Sequence, residues 1–245
     1  MSLLPLGRDH SLRAEYGPAL AVFERAVAIS SELGTEEHLT WTKFRLSQER
    51  SRSGDHEGAV RDVHAAQRLA RDRGLRRMEV GLLPQLAYAH RVAGELDLAD
   101  EALDRMEAVV HRLPYPEQTS RDIVTAGRMA NLITAGAPER ARAMLPRAVR
   151  GYVARGDTDG ITWVAEQRAL LIALEGDPVG AATALGMTRA IRGAFDFGDP
   201  ELRALATQLT QTLGEAAYTE AYGRGAALPR PQALALVTEE GADGA

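Results

Sequence analysis

The chain lacks the residues and patterns on which several classes of protein depend. It contains no cysteine, so disulfide bonds and thiolate chemistry are excluded. It has no signal peptide and no apolar run of about 18 residues, which favours a soluble cytoplasmic protein without a membrane segment. Lys43 is the only lysine among 29 basic residues, and the formal net charge is −5. The sequence therefore lacks the basic field of a free-standing nucleic-acid-binding protein.

Strand signals are equally scarce. Aromatic residues make up only 5% of the chain, and no stretch alternates strictly between apolar and polar residues. Alanine, leucine, glutamate and arginine are abundant, and all four are favourable in helices. The composition therefore predicts an all-α protein.

What the sequence has instead is a repeated helical pattern. Five alanines recur at intervals of 40, 40, 42 and 40 residues: Ala19, Ala59, Ala99, Ala141 and Ala181. The residue four places later is always apolar: Phe23, Val63, Leu103, Leu145 and Leu185. Three places further on the residues are Ala26, Ala66, Met106, Ala148 and Thr188. We call these fifteen the repeat positions. Their spacing lines one face of a helix, and a period of about 40 residues predicts one elongated array of packed helix pairs.

Turn signals divide the array into helices. Gly54, Gly94, Gly136 and Gly176 each precede a repeat alanine by five residues. Together with Gly74 they favour helix ends. The predicted helices cover residues 17–33, 36–53, 56–73, 76–93, 97–112, 117–135, 138–155, 157–175 and 178–194.

The two ends of the chain depart from this pattern. Residues 1–16 leave little room for a long helix, which favours partial disorder or a vector-derived leader before repeats spanning 17–197. The break at 113–116 is interpreted as a widened turn inside the array. A different helical pattern at 198–237 predicts an atypical C-terminal cap, followed by a frayed tail at 238–245.

Candidate chemistry is sparse. The six histidines never form a metal-binding pair at one-turn spacing, and neither a G-x-S-x-G nor a P-loop motif is present. The sequence therefore predicts no catalytic residue, no metal site and no cofactor. Arg71, Arg73, Arg76 and Arg77 form a basic cluster, for which a solvated corner is favoured over a contact with phosphate or an acidic partner.

The repeat positions resemble the tetratricopeptide family. In that family a small residue follows the turn by five positions, a bulky apolar residue comes four later, and a small one three after that. Gly54, Ala59, Val63 and Ala66 match this order. The resemblance implies a right-handed α-α superhelix, although the unit of about 40 residues is longer than usual, as in large bacterial transcriptional activators. Met129 departs from the family's small position in the first helix.

The C-terminal segment 195–237 is similar to the closing segment of sensor solenoids in multidomain bacterial regulators, including antibiotic-regulator and signal-transducing ATPase types. This resemblance implies a non-enzymatic module that binds a protein, a peptide or a small-molecule effector inside a transcriptional regulator. A free-standing adaptor that self-associates, and a small-molecule-binding solenoid, remain open as alternatives.

The resemblance also implies a binding groove lined by the first helix of each pair. The family's groove positions fall on Trp41, Phe44, Gln48, Arg52, Tyr88, Arg91, Trp163 and Glu166. Aromatic side chains beside arginine and glutamine are typical of a surface that binds a peptide or a helix. Alternatively, Trp41 and Trp163 fill space between helices.

Overall fold

The computed structural model describes residues 3–34, 36–111, 118–154 and 156–242. These residues form fourteen helices and no strand, which confirms the predicted all-α class. Within the same ranges, every helix is too short or too polar to cross a lipid bilayer.

The chain divides into two compact units. The first comprises Met1–Pro114 with Phe197–Asp199, and the second comprises Tyr115–Asp196 with Pro200–Ala245. The division falls in the break at 113–116, which the sequence predicts to be a turn inside a continuous array. Residues 112–117 lie outside the described residues, so that predicted turn stays a prediction.

In the first unit, consecutive helices pack on each other, and the third helix also packs against the sixth. A core of small and aliphatic side chains lies between them. Its helices are α1 (Leu3–Leu12), α2 (Tyr16–Glu32), α3 (Glu36–Ser53), α4 (His56–Asp72), α5 (Arg76–Gly81), α6 (Leu83–Val92) and α7 (Leu96–Val110).

The second unit begins with two helix pairs of the same kind and ends with three further helices. The last helix packs on the second and fourth helices of this unit. Its helices are α8 (Gln118–Thr134), α9 (Pro138–Ala154), α10 (Thr158–Leu174), α11 (Pro178–Arg192), α12 (Pro200–Leu213), α13 (Glu215–Ala226) and α14 (Arg230–Ala242).

All fifteen repeat positions are buried. The five alanines are fully enclosed, and the most exposed of the remaining ten, Ala26, has 7% of its surface accessible. Small side chains at these points allow neighbouring helices to approach closely, while the apolar residue one turn later fills the space between them. The periodic pattern in the sequence therefore predicted the buried face of each second helix.

The turn residues act as expected from their chemistry. The glycines at the predicted helix ends all have φ between 63° and 91°, a left-handed conformation that costs glycine little. Three helices begin with side-chain caps: Asp55, Asp157 and Asp177 each accept a hydrogen bond from a backbone N–H three residues later. These bonds satisfy donors that lack a partner within the helix.

Two predicted boundaries were wrong. The helix expected over 76–93 is interrupted at Leu82, because Pro84 has no N–H to donate and its ring clashes with the preceding turn. The expected tail is also helical as far as Ala242, where α14 buries Ala233 and Val237 completely. Tertiary packing supplies the stability that the short apolar pattern alone does not indicate.

The N-terminal segment is more ordered than the sequence suggests. It forms the ten-residue α1, consistent with a shortened first helix. Gly7 lies against the ring of Phe23, where a β-carbon would come within 2.7 Å of the nearest ring atom. This close approach explains why a glycine stands in the middle of that helix. Met1 and Ser2 lie outside the described residues.

Candidate functional site

The eight predicted groove residues are distributed over both units. The first unit contains Trp41, Phe44, Gln48 and Arg52 on α3, with Tyr88 and Arg91 on α6. The second unit contains Trp163 and Glu166 on α10.

Four of these residues form one continuous surface, which we call the α3 stripe. Trp41, Phe44, Gln48 and Arg52 are spaced by three, four and four residues, so they share one face of the helix. Trp41 is 48% exposed and stacks on Phe44, with ring centroids 5.0 Å apart and an interplanar angle of 22°. The stripe thus presents a preformed aromatic platform at one end.

The rest of α3 is unusually polar for a packed helix. Ser47 and Ser51 are buried, and their hydroxyl groups donate to the backbone carbonyls of Phe44 and Ser47, at 2.7 and 3.1 Å. Because these bonds stay within the helix, the small side chains can be enclosed without leaving a polar group unsatisfied. Neighbouring helices therefore pack on this side and leave the stripe on another.

Gln48 is held in place by a residue that the sequence analysis did not select. Arg45 donates from Nη1 to Gln48 Oε1 at 2.7 Å, and its guanidinium lies 5.8 Å from the ring centroid of Phe23. The cation–π contact with α2 orients the arginine, which in turn orients the amide of Gln48. One turn of helix separates Arg45 from Gln48, so the pairing was readable from their spacing.

Arg52, at the other end of the stripe, binds a distant part of the chain. Its Nε–H donates to the carbonyl oxygen of Gly198 at 3.0 Å, and the hydroxyl of Tyr16 donates to the same oxygen at 3.1 Å. Neither Gly198 nor Tyr16 is among the predicted site residues. A contact between residues 146 positions apart leaves no periodic signal in the sequence.

The two α6 residues are less accessible than a groove requires. Arg91 is only 3% exposed, and its guanidinium lies 5.4 Å from the ring centroid of Tyr88. This cation–π pair helps to account for the burial of a charged side chain in the first unit. Tyr88 is half-buried, so it is the more accessible member of the pair.

The two α10 residues belong to the interior of the second unit. Trp163 is half-buried and packs against a core that includes Val164, Met187 and Ala233. Glu166 is buried and pairs with Arg192, whose other terminal nitrogen lies 3.8 Å from Asp196. Here the alternative of a space-filling tryptophan fits better than a groove residue.

A charged network lies behind α3. Arg50 reaches Asp62 of α4 at 3.4 Å, and also contacts Glu24 and Asp55. Burial raises the pKa of Asp62 above its ordinary value, although the nearby cations Arg50 and Lys43 oppose that shift. The network therefore joins α2, α3 and α4 at the cost of a partly desolvated carboxylate.

Two of the histidines and one arginine of the basic cluster take part in local contacts. The Nδ1 atoms of His10 and His90 lie 2.5 and 2.7 Å from Glu15 and Glu95, each pair joining the two sides of a turn. No group of three or more potential metal ligands is present in the described part of the chain. In the basic cluster, Arg71 pairs with Glu79 at 2.7 Å. The side chain of Arg77 lies outside the described residues.

Comparisons with known proteins identify no relative. No family model matches the chain, and no curated protein or solved structure matches it.

Proposed function

We propose that this protein is a non-enzymatic interaction module with a right-handed, tetratricopeptide-like superhelix, and that the α3 stripe binds a peptide segment of a protein partner. The observation that carries the proposal is the stacked pair of Trp41 and Phe44, where a large indole is left half exposed on an otherwise packed helix. Tryptophan is among the residues most often dominant in binding energy. The buried repeat positions support the repeat arrangement.

The geometry of the stripe suits an extended or helical segment. Trp41 and Arg52 are eleven residues apart, or ~16 Å along the helix axis, with Gln48 between them. Covering the exposed half of an indole removes roughly 100 Å² from water, which contributes about 2–3 kcal/mol. Gln48, held by Arg45, supplies a polar contact that fixes the register of the bound segment.

The test compares capture by three forms of the protein. Trp41→Ala removes the platform, whereas Leu98→Ala truncates a comparably exposed leucine of α7 and serves as the control. With cross-linking in extracts of the cells that carry the gene, the wild type and Leu98→Ala should retain a partner that Trp41→Ala loses. We expect Trp41→Ala to weaken binding by about 2 kcal/mol, or roughly 30-fold.

A titration then tests direct binding. In a Trp163→Phe background Trp41 is the only tryptophan, so its emission reports on the stripe alone. A synthetic peptide covering the cross-linked segment should shift that emission saturably. The assignment of the α3 stripe as the binding surface would be refuted by either of two results. Trp41→Ala could recover the same partners as the wild type, or a peptide could bind and leave the emission unchanged.

We further propose that the module serves a bacterial transcriptional regulator, in which binding at the stripe biases the state of an output domain. The similarity of the C-terminal segment to regulator solenoids supports this proposal. Replacing the gene by its Trp41→Ala form should change the same set of transcripts as deleting it. A deletion strain with unaltered transcript levels under all conditions tested would contradict the regulatory role.

A further inference from the structure

The first unit already holds a short turn of the chain, at Phe197 and Gly198, beside the α3 stripe. Phe197–Asp199 belongs to this unit although the residues on either side of it do not. The Gly198 carbonyl oxygen accepts hydrogen bonds from the Tyr16 hydroxyl and from Arg52 Nε–H. The Phe197 N–H donates to the Leu12 carbonyl at 3.0 Å. All three bonds involve the main chain of the segment.

The groups that hold this segment are suited to a peptide backbone. Leu12 is the last residue of α1, and the final carbonyls of a helix have no partner within it. Arg52 provides a charge-assisted donor, which forms a stronger bond than a neutral one. The junction of α1, α2 and α3 thus offers two donors and one acceptor to the backbone of the turn at Phe197 and Gly198.

The site also selects for glycine. A β-carbon on Gly198 would lie 2.8 Å from the backbone carbonyl carbon of Ser11, and closer still to its oxygen. Ser11 is buried on α1, so its backbone has little freedom to move away. The side chain of Phe197 is 55% exposed, which shows that it is not enclosed by this site. Recognition therefore includes hydrogen bonds to the backbone and requires the absence of a side chain at position 198.

We propose that the α1–α2–α3 junction is a binding site for glycine-containing peptide turns, and that Phe197–Asp199 is its internal ligand. An outside peptide can bind at the Arg52 end of the stripe only after this internal segment has been released. The inference rests on the proposed function only in treating the stripe as a peptide-binding surface. Its test needs no outside protein partner, so the two can fail independently.

The test uses a synthetic peptide with the sequence of residues 195–201 and the full-length chain. Gly198→Ala should expel the internal segment and leave the site vacant, so millimolar peptide should shift the Arg52 Nε–H resonance saturably. The wild type should respond several-fold more weakly, because its own segment competes at an effective concentration on the order of millimolar. Gly223→Ala, at a glycine with open space around it, should behave like the wild type.

Two further arms establish specificity. A peptide carrying alanine in place of the glycine should not bind, and adding Tyr16→Phe, which removes the second donor, to the Gly198→Ala chain should weaken the response of Arg52. Equal responses of the wild type and Gly198→Ala, or no response of a folded Gly198→Ala chain, would overturn the proposal.

Hydrogen exchange supplies a second measurement if Gly198→Ala does not fold. In the unaltered protein the Phe197 N–H should exchange much more slowly than in the free peptide, because Leu12 accepts its hydrogen bond. Tyr16→Phe removes one donor to Gly198 and should speed that exchange, while amides in the middle of α3 keep their rates. A Phe197 amide that exchanges as in the free peptide would refute the docking.

Discussion

Helices α11 and α13 cross at two glycines, and this crossing allows a quantitative test of the packing. A β-carbon on Gly225 would lie 2.7 Å from the Met187 backbone nitrogen, and closer still to the Thr183 carbonyl oxygen. A β-carbon on Gly186 would likewise meet the backbone of α13. Neither neighbour is a flexible side chain, so Gly225→Ala must push the two helices apart.

The expected cost follows from opposing effects. Overpacking a close contact costs about 3 kcal/mol, and replacing a helical glycine by alanine returns about 1 kcal/mol through helix propensity. Gly225→Ala should therefore lower the free energy of unfolding by about 2 kcal/mol, which corresponds to a decrease in Tm of about 4–8 °C for a chain of this size. Gly223→Ala lies in the same helix with nothing near its β-carbon, so it should gain up to about 1 kcal/mol.

The assay must report on the second unit alone. In a Trp41→Phe background, Trp163 is the only remaining tryptophan, and it packs against the core of that unit. Thermal and urea unfolding followed by its fluorescence should place the parent between Gly223→Ala and Gly225→Ala. If Gly225→Ala unfolds at or above the temperature of Gly223→Ala, the close crossing of the two helices is wrong.

Two other substitutions test the first unit. Ala99→Arg should lower the free energy of unfolding by roughly 3 kcal/mol or more, because a charged side chain would replace a fully enclosed methyl group. Leu98→Arg, at an exposed position, should leave the stability nearly unchanged. If the two variants unfold at the same urea concentration, Ala99 does not belong to the core. Asp62→Asn should raise the stability at pH 7. The pKa of Asp62 is raised in the folded state, which means that the folded protein binds the proton more readily than the unfolded chain. The ionised carboxylate therefore lowers the stability at pH values above its folded pKa and has no such effect below its unfolded pKa. That gain should shrink as the pH falls towards 4, and a clear loss at pH 7 in urea titrations would show instead that the ion pair with Arg50 outweighs desolvation.

The predicted helices were most accurate where their ends depend on local chemistry. The helix expected over 36–53 is found with those bounds, because glycine terminates the preceding helix and the next begins beyond Gly54. The break at Leu82 was missed although Pro84 signalled it, since the long apolar pattern around it favoured an uninterrupted helix. The extension of α14 was missed because it depends on contacts with α9 and α11.

The candidate site was predictable in part. The family resemblance selected Trp41, Phe44, Gln48 and Arg52 as groove residues, and the structure brings the two aromatic rings into contact. The sequence gives no indication that Glu166 pairs with Arg192 in the interior of the second unit. Accessibility of a side chain depends on what packs over it, and a periodic pattern does not identify the covering residues.

The sequence by itself determined the helical class, the period of about 40 residues and the buried repeat positions, because each follows from helix geometry and from residues a few places apart. Only the tertiary structure decided which polar residues are covered, where α11 and α13 cross at glycine, and that Gly198 lies against Tyr16 and Arg52. These features join residues up to 182 positions apart. Their pairing depends on how the helices pack in three dimensions, and no regular spacing along the chain records it.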